Sequence, residues 1–153
     1  MHFHFGPAAS GVGVYIDKVL TDPRLPWSSV HLSGEAIGGG GRLRQFLAGV
    51  RLLAGRREGV VFVHTLKGGL AGALARPMRQ GMRMIYVGHG VRYSQRRGRL
   101  WDRLKYRAAE IAAYLAADAV VHLRQADIDA AAAIVPAFLM RRVQLLPPRL
   151  GEP

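Results

Sequence analysis

The sequence predicts an α/β fold: a doubly wound, mostly parallel sheet with helices on both faces. Three observations predict it. Short runs rich in β-branched residues, such as Val60 to His64 and Ala119 to Leu123, alternate with stretches of helical periodicity. Strands separated by ~10–15 helical residues cannot pair as hairpins and need parallel crossovers. The runs also lack strict polar alternation, which fits strands covered on both faces. The chain has 153 residues, one domain's worth, and is 50% hydrophobic, enough to bury a core and to exclude wholesale disorder.

Taken in order, the chain opens with a short strand over His2 to Phe5, and Gly11-Val12-Gly13 starts a helix that runs to Leu20. Pro23 and Pro26 interrupt before a second strand at Ser29 to Leu32. Gly38 to Gly41 reads as a loop, because its glycines bring no side chains to pack. Leu43, Phe46, Leu47, Val50 and Leu53 follow the 3.6-residue period and predict a helix over 43–53. The third strand, Val60 to His64, is followed by a helix near Leu70 to Arg76, with Lys67, Gly68 and Gly69 in the connection. The fourth strand, Met84 to Val87, precedes a long helix from about Arg99 to Ala116, with Leu100, Trp101, Leu104, Ile111 and Leu115 on one face. The fifth strand is Ala119 to Leu123, another helix covers Ala126 to Ile134, and Val143 to Leu146 is the sixth strand. No repeat or domain boundary interrupts the alternation, so residues 1–153 are expected to form a single domain.

Composition narrows the chemistry. Cysteine is absent, which excludes disulfides, thiolate metal sites and cysteine nucleophiles and fits a reducing, cytoplasmic setting. The start, Met1 to Gly6, has no Lys or Arg before its apolar stretch, so a secretory signal is not expected. The apolar stretch from Ala108 to Val121 is broken by Glu110 and Asp118, too soon for a spanning helix of ~20 residues. The formal charge of +12 is unevenly placed: Arg92, Arg96, Arg97, Arg99, Arg103 and Lys105 lie close together, with Asp102 the only acid among them. Such a segment attracts nucleic acid, anionic lipid headgroups or phosphorylated ligands, or else is a solvated face without a partner. Trp101, Tyr93 and Tyr106 interleave with it, which suits a peripheral contact with an anionic membrane.

Two histidines carry the best clue to a site. His64 ends the third strand and His89, in Gly88-His89-Gly90, follows the fourth. In a parallel sheet, ligands bind outside the carboxyl ends of the strands, so both point to one crevice. Gly90 leaves the backbone open to a ligand, and imidazole can donate, accept or carry charge near neutral pH. Lys67, Gly68 and Gly69 suit an anionic group held by an ammonium and free amides. Gly11 and Gly13 resemble the start of a phosphate-binding glycine pattern, with Glu35 at the spacing of a ribose-binding acid. The third glycine of a nicotinamide-dinucleotide fingerprint is missing. No metal is expected, because no nearby strand end adds a carboxylate and there is no cysteine. His2 and His4 share a strand face, which packing or exposure at the N-terminus explains.

Taken together, Val63-His64-Thr65-Leu66-Lys67-Gly68-Gly69-Leu70-Ala71-Gly72, Ile85-Tyr86-Val87-Gly88-His89-Gly90, Glu110 and Asp118-Ala119-Val120-Val121 resemble the N-terminal, acceptor-side domain of family 4-type glycosyltransferases. The likeness runs from the Gly11/Gly13 loop through Asp127. It implies a Rossmann-like domain, half of the two-domain GT-B arrangement, in an enzyme of glycan or glycolipid synthesis. It further implies that His89 approaches the donor sugar as the catalytic contact, while Gly11, Gly13, His64, Lys67, Gly68 and Gly90 line the substrate cleft. Glu110 and Asp118 match acids of the family and read as structural. The implied partners are a nucleotide sugar, as substrate with no tightly bound cofactor, and a glycan or lipid-linked acceptor. Arg124-Gln125 stands where the family often has Ser-Glu, and Pro147-Pro148-Arg149 where an Asn-Gly turn is usual. The donor-binding domain would begin near Pro153, so the chain is expected to be either a truncated enzyme or one that works with a separate donor-binding domain or subunit, and to be inactive alone. A stand-alone module for anionic lipid or phosphate is the alternative. Specific nucleic-acid binding comes last, since charge alone suggests it.

Overall fold

A computed structural model describes residues 1–5, 9–21, 31–33, 36–37, 41–57, 59–78, 81–90 and 100–146. They form a Rossmann-like α/β domain around a six-stranded, wholly parallel sheet. Its strands are β1 (His2–Phe3), β2 (His31–Leu32), β3 (Val60–His64), β4 (Arg83–Gly88), β5 (Ala119–His122) and β6 (Val143–Leu145), ordered β2-β1-β3-β4-β5-β6. The helices are α1 (Gly11–Leu20), α2 (Arg42–Ala54), α3 (Thr65–Ala75), α4 (Leu100–Ala116), α5 (Gln125–Ala132) and the single turn α6 (Ala137–Met140). The expected third strand and first helix coincide with the observed bounds. A short 3-10 turn, Arg76–Met78, and α6 are additions to the expected elements.

The crossover from β1 to β2 runs opposite to all later ones. With right-handed crossovers this puts α1 on the opposite face from α2, α3 and α4. The reversal makes a switch point between β1 and β3, the place where open α/β sheets bind ligands. Register then decides which side chains share a face. His2 pairs with Phe62 and His64 with Val87, so by the period of two His2, His64 and the position of His89 all lie on the α1 face. Val61, Val63, Met84, Tyr86 and Val120 point the other way and are buried under the helices.

That packing rests on small residues. Gly68, Gly69, Ala71, Gly72 and Ala75 form the buried side of α3. A methyl on Gly69 would fall 2.6 Å from the Ala113 Cβ, and one on Gly72 would collide with Met84. Glycine weakens a helix by about 1 kcal/mol each; here it lets α3 lie close to both the sheet and α4. Asp118 fastens the next strand, its carboxylate accepting from the Met84 amide at 2.7 Å while its own amide donates to the Met84 carbonyl at 2.8 Å.

Two expectations change. Helix α3 begins at Thr65, directly after β3, so Lys67, Gly68 and Gly69 are helical and not a loop; close packing of small residues overrides glycine's poor helix propensity. The large apolar residues expected on one face of the long helix are mostly outside: Leu100, Trp101, Leu104 and Leu115 are exposed and Ile111 is half-buried. Its buried side consists of Glu110, Ala113, Tyr114 and Ala116, because α3 approaches too closely to admit leucine. Among the described residues, no helix is long and apolar enough to cross a membrane.

Candidate functional site

At the carboxyl edge, β3 and β4 deliver their histidines into contact. His64 Nδ1 lies 2.8 Å from His89 Nε2, and His64 Nε2 lies 3.0 Å from His2 Nδ1. His2 also stacks on Phe62, with ring centroids 4.6 Å apart. His2 is thus packed, as its strand face suggested, and in addition joins the hydrogen-bonded histidines. The signal was the spacing itself: His2 and His4 share a face with period two, but only register places that face against His64. Tyr15, from the second turn of α1, sets its ring edge on His89 and His64 at centroid distances of 5.3 and 6.4 Å. Burial raises the Tyr15 pKa, so its phenol stays protonated.

His89 is neutral at pH 7. Its pKa is lowered to about 4, first by burial and then by the His4 imidazole, with Asp127 opposing both. It therefore acts as a hydrogen-bonding group and not as a cation. Gly90 beside it has φ +110°, a conformation that effectively requires glycine. Thr65, which the sequence left unremarked, has φ +68°. A β-branched residue rarely adopts that angle, and here it makes the abrupt change from strand β3 to helix α3.

The remaining predicted residues divide. Lys67 lies in the first turn of α3, its ammonium 4.4 Å from the Phe5 ring centroid. Burial lowers its pKa first, and the Arg42 guanidinium at the start of α2 lowers it further. Among the described residues no carboxylate pairs with Lys67, so two cations face the same edge without an acid between them. Gly68 is buried against Val63 and the Phe3 carbonyl and offers packing, not an open loop. The Gly13 amide donates to the Ser10 hydroxyl at 3.2 Å, a helix cap that occupies it. Gly11 is exposed, and a methyl there would meet nothing within 4 Å. Its backbone is open to an approaching group.

A second polar cluster lies on the other face. The Tyr86 hydroxyl donates to Glu110 at 3.2 Å, and Tyr114 hydrogen-bonds His122 Nε2. Burial raises the Glu110 pKa to about 7, which the Tyr86 hydrogen bond opposes and Asp127 reinforces. Asp127 is buried and takes a two-point hydrogen bond from Arg124 at 3.0 and 3.1 Å. Arg124 thus neutralises the aspartate three residues on. Glu110 and Asp118 both serve packing and strand pairing.

Of the basic segment, Trp101, Arg103 and Lys105 lie on the exposed first turns of α4; Lys105 pairs with Asp102 at 2.5 Å. Arg92, Arg96, Arg97 and Arg99 lie outside the described residues, as do Tyr93, Glu35 and Pro147-Pro148-Arg149. Among the described residues no cluster of three or more His, Asp or Glu is arranged to hold a metal ion. As arranged, His64 bonds its neighbours through opposite nitrogens, so the three rings do not converge on one point. No family model matches the chain, and no curated protein does.

Proposed function

We propose that this chain is the acceptor-side domain of a sugar-nucleotide-dependent glycosyltransferase, acting in glycan or glycolipid synthesis with a donor-binding domain opposite. The observation that carries the reading is the pair of cations, Lys67 and Arg42, with which no carboxylate among the described residues pairs, at the strand-end edge where His64 and His89 meet. Two cations that repel each other suit an anionic ligand, which relieves the repulsion on binding. A neutral imidazole at the same strand-end edge suits a sugar hydroxyl or a phosphoryl oxygen, because it both donates and accepts. A departing diphosphate between two domains would be stabilised by such preorganised groups. The open backbone at Gly11 admits the ligand from the α1 side.

The test is a titration of the chain with nucleoside diphosphates and sugar nucleotides, followed by backbone and side-chain NMR. Shifts centred on Gly11, Lys67 and His89 are expected, and His89→Ala should abolish the difference between sugar nucleotide and bare diphosphate. No shift at millimolar ligand overturns the reading. With the donor-binding domain present, His89→Ala should slow sugar transfer by about 100-fold, the usual loss of one preorganised partner.

A specific observation favours a second reading, a module for anionic lipid surfaces. Leu100, Trp101 and Leu104 are 71, 74 and 47% exposed beside Arg103, Lys105 and Arg107. An interfacial tryptophan among basic residues suits a headgroup layer. In a parallel α/β fold the helices run against the strands, so this end of α4 lies on the same edge as the histidines. The two readings are compatible.

A further inference from the structure

His2, His64 and His89 make a hydrogen-bonded chain in which the middle ring uses both nitrogens. A hydrogen bond between two neutral imidazoles needs one N–H and one lone pair. If His64 carries its proton on Nδ1, it donates to His89 Nε2, so the His89 proton sits on Nδ1. His64 Nε2 is then bare and accepts from His2 Nδ1–H. If His64 carries its proton on Nε2, each assignment reverses, and His89 Nδ1 is bare. Any mixed pattern sets two protons or two lone pairs against each other across less than about 3 Å. Only two neutral patterns survive: all three rings protonated on Nδ1, or all three on Nε2.

We propose that His64 and His2 are positioning residues for His89: they lock its tautomer, so that its remaining nitrogen is donor or acceptor according to the state of the whole chain. That nitrogen, Nδ1, has no hydrogen-bond partner among the described residues, and His89 is only half-buried. His2 and His64 are almost wholly buried, so water cannot substitute for their bonds. Exchange between the two patterns moves protons along both hydrogen bonds. One proton leaves to solvent at the half-buried His89 Nδ1 and one arrives at His2 Nε2 from solvent at the 5% exposure His2 keeps, so the chain stays neutral. A ligand oxygen that accepts selects the first pattern; a hydroxyl that donates selects the second. The inference rests on the proposed role of His89 as a ligand contact, but the lock itself is a property of the free chain.

The experiment is a long-range proton–nitrogen correlation spectrum of the histidine rings at pH 7, which reports the protonated nitrogen of each ring. The expected spectrum shows His2, His64 and His89 in the same tautomer, with well-separated nitrogen shifts. In His64→Phe, which keeps the ring and removes both bonds, the two nitrogen shifts of His89 should converge as its tautomers mix. His2→Phe, which preserves the stack on Phe62, is the milder variant if His64→Phe does not fold; it should loosen His64 and His89 together. Opposite tautomers at neighbouring rings in the wild type overturn the proposal. So does a His89 tautomer unaltered in either variant. Inorganic phosphate separates the lock from its use: phosphate that shifts all three rings in parallel supports both. Phosphate that shifts His89 alone overturns the lock, and phosphate that perturbs none of the three overturns the anion-binding role while the resting tautomers still decide the lock.

Discussion

Glu110 and His89 set opposite pH slopes. Glu110 has its pKa raised by burial to about 7 from 4.5. The stability tied to its neutral form is complete below about 4.5 and is lost as pH rises through 7. His89 is depressed by burial to about 4 from 6.5. Its contribution is complete above 6.5 and is lost as pH falls through 4. Between about 4.5 and 6.5 the two oppose each other, each with a slope of about 1.4 kcal/mol per pH unit. Glu110→Gln keeps an acceptor for Tyr86 and cannot ionise, so its stability relative to wild type should rise by about 3 kcal/mol from pH 4.5 to 7. Urea unfolding at several pH values measures this, and a constant offset would refute it. Two glycines give a complementary contrast. A methyl at Gly88 would fall 2.5 Å from the His122 ring, whereas one at Gly11 meets open space. Gly88→Ala should cost about 1–3 kcal/mol. Gly11→Ala should leave the unfolding midpoint unchanged, so any loss of ligand binding it causes belongs to the site.

At the scale of elements, α3 joins fold and site. Its glycine-rich side sets the distance to the sheet and to α4, and its first turn carries Thr65 and Lys67. The positive φ of Thr65 costs about 1–2 kcal/mol for a side chain, a penalty glycine avoids at some entropic cost in the unfolded chain. Thr65→Gly is therefore expected to leave stability unchanged or raise it by up to about 1 kcal/mol in denaturant unfolding. A clear loss would mean that the threonine side chain makes contacts worth more than its strain. The stretch from Val60 to His64 was legible as a strand because β-branched residues fit a pleated surface. The start of α3 was not, because Lys67-Gly68-Gly69 has weak helix propensity and only packing against Ala113 and Tyr86 explains it.

For the whole molecule, the net charge of +12 concerns partners more than fold. If α4 meets lipid, the chain should cosediment with vesicles containing anionic lipid and not with neutral ones. Binding should weaken as salt shortens the screening length. Trp101→Ser, which removes an exposed side chain and leaves the net charge unchanged, should weaken partition on the order of tenfold. Equal sedimentation with both vesicle types would exclude the lipid reading and leave the strand-end histidine edge as the proposed site.

The sequence by itself determined the layer architecture, the parallel sheet and the placing of His64 and His89 at adjacent strand ends. Those follow from local periodicity and from chain connectivity, which short segments carry in full. Tertiary structure alone decided that His2 joins them, that Arg42 comes near Lys67, and that Leu100, Trp101 and Leu104 remain outside. It also decided that Arg124 neutralises Asp127 and that His89 is neutral. Register and burial make these outcomes: which residue lies opposite which depends on strands and helices far apart in the chain. An ionisable group's proton affinity follows from the solvent and charges that such neighbours remove or supply.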